Sequence, residues 1–145
     1  MIAYLDASAL VKKYAQEVGS DRVGEIWASG DALAISAVGY AEIVAALGRR
    51  WRSRDLTASG FRRTMRAFHR DWQQLDVVGV SPTLHELIDG LVTRHPLRGF
   101  DALHLASALC VREEADEDVL FVSGDSRLLD AARGEGLATC PERAW

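Results

Sequence analysis

Short apolar runs bounded by turn residues alternate along this chain with longer stretches in which apolar positions recur at helical spacing. Ile2 to Leu5 reads as a buried strand, followed by a helix over 7–15 and a second over 21–28 that ends near Gly30. Leu33 to Ser36 is the next apolar run, and a long helix over 37–52 follows it. The segment 57–75 predicts a helix with Phe61, Met65, Phe68, Trp72 and Leu75 on one stripe. A third strand is expected over 76–80. Ser81-Pro82 then opens a helix that His95-Pro96 closes near Arg94. A helix over 100–113, a strand over 119–123, a helix over 126–133 and a weak strand near 137–139 complete the series.

Apolar strands that alternate with helices predict a parallel sheet covered on both faces. Such sheets bind ligands beyond the carboxyl ends of their strands. The length of 145 residues suits a single domain over 1–145 with room for a sizeable core. The amino terminus has no basic region, and its apolar run stops at Asp6, so it does not read as a signal peptide. No stretch approaches the roughly 18 uncharged apolar residues of a membrane span, and a cytoplasmic protein without membrane contact is expected. Cys110 and Cys140 lack metal-ligand spacing, and Cys110 is expected in the core.

The net charge of −4 does not advertise nucleic-acid binding, but the distribution is uneven. Between Arg49 and Arg70 stand eight arginines (49, 50, 52, 54, 62, 63, 66 and 70) against one acid before position 71, Asp55. This basic hairpin could contact RNA phosphates, dock an acidic protein segment or simply face solvent. Trp51, Phe61 and Phe68 would suit a partner helix.

Elsewhere four acids stand alone in uncharged surroundings. Asp6 ends the first strand, and Glu42 is the only charge from Ala32 through Gly48. Asp101 is the single acid in the apolar run that begins RGFDALHLASAL, and Asp125 follows the fourth strand at once. Each has an ordinary explanation: Asp6 and Asp125 as helix N-caps, Asp101 as a first-turn acid, Glu42 as the partner of an arginine. Taken together, three of them fall at the expected functional edge of the sheet. If the four converge, two carboxylates about 4 Å apart repel by ~4 kcal/mol at an effective dielectric near 20. A divalent cation converts that repulsion into binding, and an oxygen-only set selects Mg²⁺ or Mn²⁺. The residues alone thus point to metal-dependent phosphoryl transfer or nuclease chemistry.

Four stretches, IAYLDASALVKKY, ISAVGYAEIVAAL, LRGFDALHLASAL and VLFVSGDSRLLDAA, carry a resemblance to the PIN-domain ribonucleases. Within that family the chain resembles the VapC-like toxins of toxin–antitoxin modules. The resemblance implies an α/β PIN-like three-layer fold, with a central, mainly parallel five-stranded sheet flanked by helices on both faces. It implies a Mg²⁺- or Mn²⁺-dependent endoribonuclease that hydrolyses tRNA, rRNA or mRNA, with a cognate antitoxin and a homodimeric state. Asp6, Glu42, Asp101 and Asp125 fall on the family's acidic quartet, as metal ligands and catalytic acids. Ser123 falls on its Ser/Thr before the last acid, and Ser8 on the Ser after the first. Gly124 stands where relatives more often carry a bulkier residue.

Other classes fit less well. A receiver-type signalling domain needs paired acids after the first strand and a late lysine, whereas the only lysines here are Lys12 and Lys13. A haloacid-dehalogenase-type phosphatase needs Asp-x-Asp where this chain has Asp6-Ala7-Ser8. The dinucleotide fingerprint and the P-loop are absent. A catalytically silent PIN-like module that binds RNA or a partner remains the alternative. His104, three positions after Asp101, reads as a partly buried histidine with a local hydrogen bond rather than a ligand. His69, His85 and His95 read as helix-surface or helix-end residues.

Overall fold

The computed structural model describes residues 1–143 and 145. Five parallel strands form one sheet in the order β3-β2-β1-β4-β5: β1 (Ile2–Leu5), β2 (Ala32–Ser36), β3 (Asp76–Val78), β4 (Val119–Val122) and β5 (Ala138–Cys140). The central strand is the first. The chain builds outward through β2 to β3, then returns to the other side of β1 to lay down β4 and β5. This reversal opens a crevice between the carboxyl ends of β1 and β4, where doubly wound sheets take their ligands.

Alternation along β1 and β4 divides the core. Ile2, Tyr4, Val119 and Phe121 face one layer, whereas Ala3, Leu5 and Val122 face the other. The first layer is covered by α5 (His85–Arg94), α6 (Gly99–Ala115) and α7 (Ser126–Gly134). The second is covered by α1 (Ala7–Leu10), α2 (Ser20–Ala28), α3 (Val38–Arg52) and α4 (Ala58–Trp72). Apolar residues on both faces explain why the strands read as continuous runs rather than alternating ones.

Some local expectations change. The helix after β1 tightens into a 3₁₀ turn at Val11–Lys13, and a 3₁₀ turn at Pro82–Leu84 precedes α5. The stripe on α4 points inward as expected, but Phe68 is wholly buried, against Tyr14, Tyr40 and Trp72, and offers nothing to a partner. Cys110 is only half-buried, because it sits at the rim of the apolar face of α6. Among the described residues, no helix is long and apolar enough to cross a membrane.

Candidate active site

Asp6 leaves β1 at the sheet's centre, and its N–H donates to the Val122 carbonyl, pinning it beside the end of β4. Its carboxylate is clamped from three sides. Ser123 Oγ donates to Oδ2 at 2.6 Å, while Ser8 Oγ and the Ala9 N–H donate to Oδ1 at 2.7 and 2.9 Å. The last bond makes Asp6 the N-cap of α1. Burial nevertheless wins: it raises the Asp6 carboxyl above the usual carboxylate range, against the hydrogen bonds and His104, which favour the anion.

The two serines reach further. Ser123 accepts from the Asp125 N–H at 3.0 Å, and Ser8 accepts from the Gly124 N–H at 2.9 Å. The turn after β4 is thereby tied to Asp6 through two hydroxyls. Asp125 caps α7, accepting from the N–H groups of Arg127 and Leu128 at 2.9 and 3.2 Å. The capping explanation and the ligand explanation therefore coexist at Asp6 and Asp125.

Glu42 projects from the first turns of α3, and its partner is a histidine rather than an arginine. His104 Nε2 lies 2.6 Å from Glu42 Oε1, and Nδ1 lies 2.8 Å from the Tyr4 hydroxyl. A carboxylate only accepts, so the hydrogen-bond pattern assigns the proton at Nε2 to the bond with Glu42. The Tyr4 hydroxyl that meets Nδ1 also accepts from the Ser36 N–H at 3.0 Å. His104 is 2 % exposed, and its partners are long-range, not local as the sequence led us to expect. Gly39 lets the start of α3 lie close against β2: a Cβ there would fall 2.5 Å from Ile35 Cδ1.

Asp101 opens α6, half-buried, where the helix dipole favours an anion. Its carboxyl is held above the ordinary range, chiefly by burial and then by the Asp125 charge, with Glu42 adding to it; His104 and Arg98 act the other way. Asp101 and Asp125 line one cavity of about 790 Å³. The fold thus brings Asp6 and Asp125 together through Ser123, and sets Asp101 and Glu42 within electrostatic reach. Among the described residues, however, no three His, Cys, Asp or Glu side chains are gathered as a ready-made metal cluster.

The donor chemistry nonetheless fits a hard divalent cation. The set is oxygen-only, Asp101 carries repulsion from Asp125 and Glu42, and Asp6 Oδ2 accepts one hydrogen bond, leaving a lone pair. Ser123 emerged from the sequence only through the family resemblance. Tyr4 and the role of His104 were missed, since no local spacing signals a contact across the sheet. In the arginine hairpin, Arg50 pairs with Glu17 at 3.0 Å and Arg70 lies 3.8 Å from Asp71; the other six have no ion-pair partner among the described residues. Trp51, 40 % exposed, stacks on Phe61.

A parallel sheet of this order, with acids at the carboxyl ends of its central strands, defines the PIN architecture. The chain belongs to the PIN domain family, whose model matches residues 3–134. It is 35% identical over 140 residues to Ribonuclease VapC45 and to Ribonuclease VapC49, from two strains of Mycobacterium tuberculosis, covering 97% of this chain and 95% of each relative. Among solved structures, the toxin–antitoxin complex from Klebsiella pneumoniae matches in fold, with a TM-score of 0.68 at 16% identity and 99% of each chain covered.

Proposed function

We propose that this chain is a divalent-metal-dependent endoribonuclease, the toxin of a toxin–antitoxin pair, acting through Asp6, Glu42, Asp101 and Asp125. The reading is supported by Asp101, which is under repulsion from Asp125 and Glu42, and by Ser123, which ties Asp6 to the backbone of Asp125 beside the end of β4. The similarity to VapC ribonucleases over nearly the whole chain supports the reaction class. The fold shared with a toxin–antitoxin complex supports a protein antitoxin as partner.

In this reading Asp6, Asp101, Glu42 and Asp125 hold Mg²⁺ or Mn²⁺. When bound there, the ion would supply charge neutralisation at a phosphate and would lower the pKa of a coordinated water. Ser8 and Ser123 fix both oxygens of Asp6, so that it meets the substrate in one orientation. His104 and Tyr4 hold Glu42 in the same way from beneath. The protein acts as one cytoplasmic domain over 1–145 and as a homodimer, with RNA as substrate.

Incubation of a small-RNA pool with purified protein tests the reading, in Mg²⁺, Mn²⁺ or EDTA and beside Asp101→Asn. Internal cleavage that needs the metal and vanishes in the variant is expected. Cleavage that persists in EDTA, or in Asp101→Asn, refutes the mechanism. RNA binding with no cleavage by the wild type would favour the silent binding module instead.

A further inference from the structure

Between Arg49 and Arg70, eight arginines and one acid give a net charge of +7, so a chain of net charge −4 carries −11 elsewhere. On α4, Arg62, Arg63, Arg66 and Arg70 are all exposed. The first three have no ion-pair partner among the described residues, and Arg70 has only the 3.8 Å approach to its neighbour Asp71. Spacings of three and four place them on one stripe about 12 Å long, turned away from the buried Gly60, Phe68 and Asp71. Like charges four apart destabilise a helix, and α4 carries no acid before the buried Asp71 to relieve them. The hairpin fixes where the stripe leads. Trp51 stacks on Phe61 at one end and Tyr40 on His69 at the other, with centroids 5.8 and 6.0 Å apart, so α3 and α4 run antiparallel. Arg70 therefore lies at the end of the hairpin where α3 starts, and Glu42 stands in the first turns of α3.

We propose that the outer face of α4 is a phosphate track, on which Arg62, Arg63, Arg66 and Arg70 hold the backbone of the substrate RNA at a distance from the bond that is cut. The inference rests on the ribonuclease reading and adds to it a substrate contact outside the acidic crevice. Guanidiniums bind phosphate through paired N–H donors, and a row of them reads charge rather than base. The surplus of acids elsewhere repels a polyanion, and the +7 hairpin draws it to this face. The stripe suits a polyanion better than a docked protein helix because it offers no large apolar anchor. Phe68 is wholly buried, and the only other exposed residues of α4 are Ala58, Ser59 and His69.

The test measures equilibrium binding of a fluorescent single-stranded 2′-O-methyl RNA, which resists hydrolysis, by anisotropy in EDTA across a salt series. Wild-type affinity is expected to fall linearly with salt on logarithmic axes. The triple variant Arg62→Gln, Arg63→Gln, Arg66→Gln is expected to bind about ten-fold more weakly at moderate salt. Its slope is expected to drop by about 2, because each phosphate contact to a single strand contributes ~0.7. The triple variant Arg62→Lys, Arg63→Lys, Arg66→Lys keeps the charge and is expected to restore most of the slope. The glutamine variant is expected to keep or raise the urea midpoint, since it relieves like-charge repulsion along α4.

RNA affinity and salt slope equal to the wild type in the glutamine variant overturn the proposal and leave a solvated basic face, as does a wild type that binds no RNA. Binding to poly-glutamate that is lost in the glutamine variant while RNA affinity is unchanged overturns it in favour of an acidic protein segment. The ribonuclease reading fails on a different measurement, the metal-dependent cleavage by the wild type. Binding of the resistant RNA in EDTA is read whether or not cleavage occurs.

Discussion

Asp101→Asn is expected to make the metal-free protein more stable and the metal-loaded protein relatively less so. Burial and the charges of Asp125 and Glu42 outweigh Arg98, His104 and the helix dipole at this carboxyl, so its anion is a net burden on the fold. The group is half-exposed, and solvent screening reduces that burden to about 1 kcal/mol. For a domain of this size this corresponds to a rise of about 3 °C in Tm. A bound cation reverses the order, because a ligand at 100 times its Kd stabilises the wild type by ~2.7 kcal/mol and the weakened site of the variant far less. Scanning calorimetry of both proteins in EDTA and across a Mg²⁺ titration would show two Tm curves that cross. The pH dependence follows from the sign. A carboxyl raised above its unfolded value destabilises the fold above its folded pKa and ceases to do so below the unfolded one. The wild-type deficit in EDTA is therefore full above the raised folded pKa and fades as the pH falls toward the ordinary carboxylate range. A lower Tm for the variant in EDTA, or equal responses of both proteins to Mg²⁺, would refute the reasoning.

Ser123→Ala removes the 2.6 Å donor to Asp6 and the acceptor for the Asp125 N–H; a stability loss of about 2–3 kcal/mol is expected in urea titration, with cleavage falling as well. Asp71 is buried on α4 and accepts from Lys13 Nζ at 2.7 Å and the Tyr14 hydroxyl at 2.9 Å, so Asp71→Ala is expected to cost about 2–3 kcal/mol, less than a fully buried pair because Lys13 can reach water. An unchanged urea midpoint in either variant would contradict the corresponding bond.

The strands were legible because a parallel sheet covered on both faces needs uninterrupted apolar runs, and Ile2–Leu5 and Val119–Val122 offer little else. The four acids stood out because each is alone in an apolar setting. What the sequence withheld is tertiary. His104 meets partners 100 and 62 positions away, so its local Asp-x-x-His spacing says nothing about either. The burial of Phe68 beneath Tyr14 and Tyr40 depends on how α4 leans on the preceding elements, not on the stripe itself. Asp71 falls at the end of an arginine-rich helix and looks solvated until α4 packs beside Lys13. Phe100 belongs to the apolar run of α6 by composition, yet the helix start leaves it in water.

Asp6 and Asp125 each close the first turn of a helix, α1 and α7, through Oδ1 of the same carboxylate that the proposed chemistry needs. Decay of the chemistry is therefore not free to take any route. An apolar replacement at either position forfeits a helix cap worth ~1 kcal/mol along with the carboxylate, whereas asparagine, serine or threonine gives up only the charge. Lineages that silence this site yet keep the protein folded, for instance to retain a grip on a partner, are channelled through those few residues.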